Sequence, residues 1–383
     1  MGKLDYATFL AGGVFDKIGE IQKNSVHTVI TSPPYWRLRD YGEKGQLGME
    51  ERPEEYVQNI ADVFDKVWNV LHNSGTVWLN IGDTWYGGGK PGYEKENSKQ
   101  TTNPGSIQRA SKNHDIKSYL KPKDKCLIPH RVAIEMQKRG WYLRNTIVWK
   151  KPSPFPESVS DRPTKSHEYI FLFSKQKTYF YDQEAIKEPS SKNNHGERKI
   201  REGKYITGSR RNDTNTGIVT DKRNKRDVWE VPHHGFSDAH FAVFPVELIE
   251  PCVLAGSSKK GVCSECRAPY ERIVEKEESE WEKRKENGEP LRYGLDGATK
   301  VGAGNFKNRS KINEHWKKTC DCSSSETNRS VVLDPFSGAG TTGIAALKHG
   351  RRYIGIDLKK EYNEMAKKRI KEHKNVPLNH DWW

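Results

Sequence analysis

Hydrophobic and polar positions follow two periodicities in the N-terminal part of the chain. Residues 26–31 (VHTVIT) form a β-rich run that leads into TSPPYW, which predicts a strand followed by a sharp loop. Residues 53–72 combine an early Pro, acids in the first turn and apolar residues at helical spacing, and so predict a helix that stops near residues 73–75. The run TVWLNIGD then predicts a second strand. This strand–helix–strand order indicates a parallel α/β sheet.

The middle of the chain mixes patterned segments with polar ones. Residues 86–125 are rich in Gly, Lys and Asn with little periodicity, which predicts a long loop insertion. Residues 186–227 are polar and basic, and are interpreted either as disordered or as a surface that orders on DNA. The patterned segments between them predict helices at 128–139 and 241–255 and strands at 141–149 and 168–174.

A strand–loop–helix–strand pattern stands near the C-terminal end of the sequence. Residues 331–333 predict a strand, 334–340 (DPFSGAG) a glycine loop, 341–349 a helix and 352–356 the next strand, with Asp357 at its tip. Glycine is needed where the backbone turns tightly and approaches a ligand closely. An acid at the tip of the second strand can accept both ribose hydroxyls of an adenosine. This segment therefore predicts a site for a nucleoside cofactor.

The glycine spacing alone leaves the cofactor open. Gly338, Gly340 and Gly343 spell G-x-G-x-x-G, and Asp357 follows about 20 residues later, as in dinucleotide-binding proteins. A nicotinamide cofactor, S-adenosyl-methionine and a turn without any ligand are all compatible with it. The wording DPFSGAGTT favours S-adenosyl-methionine, because it resembles the cofactor motif of amino-methylating DNA methyltransferases, in which an aromatic residue after Asp-Pro lies near the cofactor.

The TSPPYW loop suits the methylation of an exocyclic amino group. Such a nitrogen is a poor nucleophile because its lone pair is delocalised into the ring, so hydrogen-bond acceptors for its N–H groups favour attack. Ser32 and the carbonyl of Pro33 can supply them, while Pro33 and Pro34 stiffen the loop. Tyr35 can stack on a base flipped out of the duplex. Taken alone, S-P-P-Y is also compatible with an ordinary proline turn.

Together, the two motifs make the chain resemble the β-class DNA (cytosine-N4 or adenine-N6) methyltransferases. The resemblance implies a Rossmann-like, S-adenosyl-methionine-dependent methyltransferase sheet with permuted motif order, catalytic motif first and cofactor motif last. It implies Ser32, Pro33, Pro34 and Tyr35 as catalytic residues. The residues it implies for the cofactor are Thr31, Phe244, Pro245, Asp334, Pro335, Phe336, Gly338, Gly340, Thr341, Thr342 and Asp357.

Other segments support or qualify this resemblance. Residues 80–83 (NIGD) are similar to the family strand after the catalytic loop, and residues 161–163 with 166–169 to a wall of the base pocket. Family members often have Gly-Asp near the start, where this chain has Gly12 and Gly13. We therefore assign no functional acid there, and Asp16 is only a weak substitute.

The target base and the class of protein each have alternatives. In the family, S-P-P-Y mostly accompanies cytosine N4 and D-P-P-Y adenine N6, so Ser32 favours cytosine, with adenine as the alternative. A nicotinamide oxidoreductase would use the glycine loop but leaves TSPPYW without a role. A non-catalytic, zinc-dependent nucleic-acid-binding module would explain the charge and the cysteines but not the cofactor pattern.

Four of the six cysteines occur as two close pairs. Cys263 and Cys266 form C-x-x-C, and Cys320 and Cys322 form C-x-C. In a chain without an export signal this spacing predicts a structural Zn²⁺ site, because four thiolates leave no open position for catalysis. Free buried thiols are the alternative. The two isolated cysteines are interpreted as core residues.

A net charge of +14 favours a polyanionic partner, here double-stranded DNA. The predicted DNA contacts are Trp36, Arg37, Arg39, Arg162, His167, Arg210, Arg211, Arg223 and Arg226. A solvated linker is the alternative for the basic segment. No membrane helix or signal peptide is expected, and we expect a prokaryotic, cytoplasmic protein with a restriction endonuclease as a possible partner. The recognition sequence and the oligomeric state stay open.

The patterns also suggest domain boundaries. Residues 1–180 form the catalytic half with its 86–125 insertion, 181–230 a basic target-recognition region, 231–258 a cofactor-packing segment, 259–325 a zinc subdomain and 326–383 the cofactor-binding half.

Overall fold

A computed structural model of the protein describes residues 6–38, 40–86, 119–154, 156–189, 222–233, 243–276 and 312–373. The strands within these residues are β1 Ala7–Ala11, β2 Val26–Thr31, β3 Leu71–Ile81, β4 Tyr142–Lys150, β5 His167–Ser174, β6 Glu188–Pro189, β7 Lys222–Arg223, β8 Val228–Glu230, β9 Val262–Cys263, β10 Glu271–Lys276, β11 Ile312–Lys317, β12 Thr327–Asn328, β13 Val331–Asp334 and β14 Arg352–Asp357. The helices are α1 Val14–Ile18, α2 Pro53–Val70, α3 Ile128–Lys138, α4 Val246–Gly256, α5 Thr341–Lys348 and α6 Lys360–Glu372.

Eight of these strands form one sheet in the order β1-β14-β13-β2-β3-β5-β4-β8. The run from β1 to β3 is parallel, as predicted. The expectation of a parallel sheet is wrong at β5, which runs antiparallel to both β3 and β4. A parallel return needs a crossover, usually a helix. The described residues between β4 and β5 contain no helix, so the chain turns back and pairs antiparallel.

Helix α2 begins where the sequence predicts it and ends earlier. Pro53 occupies its first turn, followed by two acids that favour the positive end of the helix. The helix was expected to stop near residues 73–75, but it ends at Val70 because Leu71 adopts an extended conformation and pairs with Val26 of β2. The register then shifts before Thr28 pairs with Thr76, so residues 72–75 form an irregular start of β3.

The hydrophobic core lies on both faces of the main sheet. Alternating strand residues separate the two faces: Val29 belongs to a cluster with residues of α2 and α3, and Ile30 to a cluster with residues of α4 and α5. In the same way, Trp78 of β3 packs with the second cluster while Val77 and Leu79 pack with the first. The parallel part of the sheet is therefore covered by helices on both faces, which leaves its edges as the places where loops can form a site.

The described residues fall into two compact units. The first holds the main sheet and spans Met1–Ile186, Arg226–Glu271 and Lys318–Trp383. The second spans Lys187–Lys225 and Arg272–Lys317 and contains the short β6–β7 pair and most of the β10–β11 pair. The domain boundaries expected from the sequence stay a prediction. Within the described ranges, we find no helix with the length and apolar character needed to cross a bilayer.

Candidate active site

The two sequence motifs meet at one edge of the sheet. Strands β2 and β13 are parallel neighbours, so their carboxyl ends and the loops that follow lie side by side. Thr31, the last residue of β2, donates a hydrogen bond from Oγ1 to Oδ1 of Asp334, the last residue of β13, at 2.6 Å. This buried contact joins the TSPPYW loop directly to the DPFSGAG loop.

A cleft with a volume of about 1220 Å³, open mouth included, lies between the two loops. Its size and its mixed apolar and polar walls suit an organic cofactor together with part of a substrate. The lining includes these residues expected from the sequence: Ser32, Pro33, Pro34, Tyr35, Phe244, Asp334, Pro335, Phe336, Gly338, Thr341 and Asp357. The expected meeting of Tyr35 and Gly338 in a shared cleft is confirmed.

Four expected cofactor residues support this lining rather than form it. Thr31 and Thr342 donate hydrogen bonds to Asp334. Gly340 precedes α5 with φ +75°, and a Cβ added there would stand 2.6 Å from the Cβ of Ala366. Pro245 precedes α4. Glycine at 340 is therefore required both by backbone conformation and by close packing against α6.

Asp334 is a buried acid, and both of its carboxylate oxygens accept hydrogen bonds from protein groups. Oδ1 also accepts the backbone N–H of Phe336 at 3.0 Å, and Oδ2 accepts the hydroxyl of Thr342 at 2.7 Å. Burial raises the pKa of Asp334 to about 6, although these hydrogen bonds oppose the rise. The carboxyl group therefore organises the loop at an electrostatic cost.

Asp357 ends β14 and holds the glycine loop. Its Oδ2 accepts the backbone N–H of Gly338 at 2.8 Å, and its Oδ1 accepts that of Lys359 at 2.9 Å. Burial raises the pKa of Asp357, while the same backbone donors oppose the rise. The acid thus faces the cleft with its two oxygens fixed in place.

The cleft has a third loop that was not expected from the sequence. Gly12, Gly13 and Val14 line it, because β1 pairs with β14 and brings the Gly-Gly turn beside Asp357. The N–H of Gly12 donates to the carbonyl of Asp357 at 2.9 Å. The run ATFLA before Gly-Gly was the available signal: a short apolar segment that ends in glycine. No acid of this loop was assigned a role, and the contact found here comes from its backbone.

A further wall comes from residues 38 and 41–47 and the start of α6, which were also not expected from the sequence. Tyr41 meets Tyr362 edge to face, with ring centroids 6.4 Å apart. Glu43 forms an ion pair with Lys359 at 3.3 Å. Tyr41, Glu43 and Tyr362 line the cleft, so this contact closes one side of it. The polar run DYGEKGQ carries no periodicity that would have indicated such a role.

Residues of the TSPPYW loop are held by polar contacts with neighbouring side chains. The hydroxyl of Tyr35 donates to Oε2 of Glu168 at 2.7 Å and lies 3.3 Å from Oδ1 of Asn80. The hydroxyl of Ser32 donates to that of Tyr35 at 3.4 Å. Tyr56 donates its hydroxyl to the carbonyl of Pro34 at 2.8 Å, which occupies that acceptor.

Trp36 is a correction among the predicted DNA contacts. Its side chain is 5% exposed, belongs to the hydrophobic core and donates its indole N–H to the carbonyl of Glu50 at 2.9 Å. The polar neighbours of Trp36 in the sequence suggested a surface position. Tertiary packing buries it instead, so its ring is not available to stack on a base.

The other predicted DNA contacts lie in different local environments. Arg162 lies over the ring of Trp85, 3.4 Å from its centroid, and binds Glu157 at 2.6 Å. His167 contacts the hydroxyl of Tyr169 at 3.2 Å, and Arg37 has φ 52° in the loop beyond Tyr35. In the second unit, Arg223 binds Glu188 at 2.9 Å, whereas Arg226 is exposed in the first. Arg39, Arg210 and Arg211 lie outside the described residues.

The four paired cysteines come together in space. The Sγ atoms of Cys263, Cys266, Cys320 and Cys322 all lie within 4.8 Å of one another. Backbone N–H donation, first from Cys266, lowers the pKa of Cys263 to about 7. Four sulfurs around one tetrahedral Zn²⁺ would stand about 3.8 Å apart, given a Zn–S distance of about 2.3 Å. The donor set therefore fits a structural zinc ion.

Fold and cleft together define an α/β protein with a cleft at the carboxyl edge of its parallel strands, and comparison with known proteins identifies the class. The DNA methylase family model that covers N6 and N4 amino-methyltransferases matches residues 26–264 and 273–368, so the chain belongs to this family.

Individual relatives agree with the family. The Type II methyltransferase M.SmaI of Serratia marcescens is 33% identical over 94% of this chain and 89% of its own length. M.Cfr9I of Citrobacter freundii is 32% identical over 98% of this chain and 91% of its own length. Among solved structures, the PvuII DNA methyltransferase (cytosine-N4-specific) aligns with a TM-score of 0.52 over 97% of this chain and 88% of that chain. At 14% identity, that last similarity concerns the fold alone.

Proposed function

We propose that the protein transfers a methyl group from S-adenosyl-methionine to the exocyclic N4 of cytosine in duplex DNA. The observation that carries the proposal is the hydrogen bond between Thr31 and Asp334, which holds an amino-acceptor loop and a nucleoside-type loop at one cleft. Membership of the DNA methylase family supports the same reaction class.

The residues of the cleft fit the proposed cofactor. Asp357 offers carboxylate oxygens to ribose hydroxyls, and the rings of Phe336 and Phe244 offer apolar surface to an adenine or a methionine chain. The open Gly12–Gly13 turn and the glycine loop let backbone approach a ligand closely. When bound, S-adenosyl-methionine would supply an electrophilic methyl group on its sulfonium.

The protein's own part in the reaction is to position an amino nitrogen and accept its hydrogens. Ser32 and the carbonyl of Pro33 are the proposed acceptors, since the carbonyl of Pro34 is bound by Tyr56. The ring of Tyr35 forms part of the cleft wall, where it can contact a base flipped out of the duplex. Direct transfer needs no covalent nucleophile.

Ser32 favours cytosine N4 over adenine N6 as the target. A hydroxyl and a carboxylate can both accept from either amino group, so the preference comes from the resemblance of S-P-P-Y to the cytosine-specific members. Adenine N6 is the alternative within the same mechanism.

DNA binding is proposed to use basic residues outside the cleft. Exposed Arg226 and the partly exposed Arg37, Arg162, His167 and Arg223 are candidates for phosphate or base contacts. Arg39, Arg210 and Arg211 are proposed on sequence alone. Because the relatives M.SmaI and M.Cfr9I are Type II methyltransferases, we also propose a cognate restriction endonuclease whose site this protein protects.

We further propose that the four-cysteine cluster binds one structural Zn²⁺. The donor chemistry and the mutual distances support it. The ion would stabilise the segment between α4 and β13, which has few apolar residues of its own.

The experiment that tests the function is mass spectrometry of nucleosides from unmodified DNA incubated with the protein and S-adenosyl-methionine carrying a deuterated methyl group. We expect labelled N4-methyldeoxycytidine, and a loss of about 100-fold or more in its formation with Ser32→Ala. Labelled N6-methyldeoxyadenosine would replace the cytosine assignment with the adenine alternative. No labelled nucleoside from a folded, cofactor-binding protein would contradict the proposal.

A further inference from the structure

A chain of polar contacts runs from the cleft into the protein and ends at Glu168 and Lys151. Ser32 lines the cleft and donates to Tyr35, which donates to Glu168, and Lys151 donates to the other oxygen of Glu168. The O···O distances are 3.4 Å and 2.7 Å, and the N···O distance is 2.5 Å. Glu168 stands on β5 and Lys151 directly after β4. The buried end of this chain of hydrogen bonds is therefore positioned by two neighbouring strands of the sheet.

The buried end of this chain is held as an ion pair. The side chains of Glu168 and Lys151 are 11% and 20% exposed. The ammonium group of Lys151 also lies 4.3 Å from the ring centroid of Trp149. The backbone N–H of Lys151 donates to the carbonyl of Ser166 at 2.8 Å. Burial would raise the pKa of Glu168, but Lys151 and then Lys165 outweigh it and leave that pKa lowered. Glu168 is thus a carboxylate, which can only accept hydrogen bonds.

This charge determines the direction of every hydrogen bond above it. Because the carboxylate accepts, the Tyr35 hydroxyl must donate to it. Burial and Glu168 raise the pKa of Tyr35 well above 10, so the hydroxyl keeps the proton it donates. The phenolic oxygen is then free of its proton on the side of Ser32 and accepts the serine hydroxyl. Both lone pairs of Ser32 Oγ are then left to accept from a molecule in the cleft.

We propose that Glu168 and Lys151 are positioning residues that orient Tyr35 and, through it, the Ser32 hydroxyl, so that Ser32 presents an acceptor to the amino group of the target base. This inference rests on the proposed function and names residues that act on Ser32 without touching the substrate.

The test is Glu168→Gln in steady-state methyl transfer to unmodified DNA of mixed sequence with tritiated S-adenosyl-methionine. The side-chain amide of Gln can donate as well as accept, so the Tyr35 hydroxyl is no longer forced to donate to residue 168. The Ser32 hydroxyl can then point its hydrogen at the base instead of a lone pair. We expect kcat to fall about 10- to 100-fold. The Kd for S-adenosyl-methionine and the KM for DNA should stay within about 3-fold, a split that a general loss of structure would not produce.

Glu20→Gln is the matched control. Glu20 follows α1 and forms an ion pair with Lys17 at 2.6 Å, but its side chain is about half exposed and it does not line the cleft. This control should leave kcat unchanged. Wild-type kcat in Glu168→Gln would overturn the inference while leaving the proposed function intact, whereas absence of methyl transfer by the wild-type protein would contradict the function itself.

Tyr35→Phe tests the chain a second way and does not disturb the buried ion pair. It removes the link between Glu168 and Ser32, so kcat should fall by a similar factor. The double variant Tyr35→Phe/Glu168→Gln should then lie within about 3-fold of Tyr35→Phe alone, since a chain already cut cannot be cut again. Effects of the two substitutions that multiply in full, or a fully active Tyr35→Phe, would overturn the inference.

Discussion

At the scale of single residues, Asp334 joins the two motif loops, and its carboxyl group is buried where a negative charge is poorly solvated. It is 2% exposed, and its burial raises the pKa to about 6, from an ordinary value of 3.8. The folded protein therefore retains a proton that the unfolded chain releases between these two pH values. In the absence of ligand, the contribution of Asp334 to stability must fall as the pH rises through this window, and it must level off above it.

Asp334→Asn should remove this dependence. The amide oxygen can still accept from Thr31 and Phe336, and the amide nitrogen can donate to Thr342. We expect the stability of the variant relative to wild type to improve by about 1.4 kcal/mol between pH 5 and pH 7.5. Urea unfolding of both proteins at the two pH values measures the difference. A difference that does not change with pH would mean that Asp334 has an ordinary pKa in the folded protein.

Asp357 and Ser32 should separate cofactor binding from methyl transfer. Asp357→Ala removes the carboxylate proposed for the ribose hydroxyls and the acceptor of Gly338, so the Kd for S-adenosyl-methionine should rise about 10- to 100-fold. Ser32→Ala, at the other wall of the cleft, should leave that Kd nearly unchanged. Isothermal titration calorimetry compares the two variants, and equal affinity in Asp357→Ala and wild type would remove Asp357 from the cofactor site.

At the scale of elements, the segment that carries Cys263 and Cys266 is linked to β2 and β13, the two strands that lead into the cleft. His27 of β2 contacts the carbonyl of Arg267, beside Cys266, at 3.1 Å and accepts the backbone N–H of Val331 of β13 at 3.0 Å. Burial, followed by the neighbouring His72, lowers the pKa of His27 to about 3, so the ring is neutral and able to accept. A change in the cysteine segment should therefore be felt at His27, which links strands β2 and β13, the two strands that lead into the motif loops.

Zinc content provides the test of the cysteine cluster. We expect elemental analysis to find one zinc per wild-type chain and none in Cys320→Ser/Cys322→Ser. Cys252→Ala is the control, because Cys252 lies on α4 outside the cluster and should not change the zinc content. A chelator should lower the Tm of the wild-type protein, since a structural ion stabilises the folded state. A wild-type protein without zinc would end this proposal.

The elements with strong local signals could be predicted, and the pairing of distant ones could not. Strand β2, helix α2 and the β13–α5–β14 segment carry apolar runs, a proline start and a glycine loop, so their type followed from the sequence. The antiparallel direction of β5 depends on which strand the chain returns to, which no local pattern encodes. Strand β1 is only five residues long, and its place beside β14 depends on residues near the opposite end of the sequence.

At the scale of the whole molecule, the positive charge of +14 should make DNA binding strongly dependent on salt. Each phosphate contact contributes a slope of about −0.9 in log K against log salt. We expect a slope of several units for a mixed-sequence duplex between 50 and 300 mM NaCl, measured by fluorescence anisotropy. A slope near zero would contradict a binding surface that contacts the phosphate backbone.

The candidate site could be predicted because its two motifs each carry their own chemistry and both follow parallel strands. Ser32–Tyr35 and Asp334–Gly340 needed only the rule that parallel strands end at the same edge. The wall formed by Tyr41, Glu43 and Tyr362 could not be predicted, because its members are ordinary polar and aromatic residues brought together by tertiary contacts. The prediction for Trp36 was wrong for the same reason, since only the folded chain shows that its side chain is buried.

The pairing of Ala7 with Tyr353 has a consequence for how the protein is made. On a ribosome, β1 leaves the exit tunnel long before β14, the strand with which it pairs, has been synthesised. At about 5 to 20 residues per second, that delay lasts roughly 20 to 70 s. During this time the Gly12–Gly13 turn has no partner and the cleft lacks a wall. A nascent chain should therefore be unable to methylate DNA until β14 has left the ribosome.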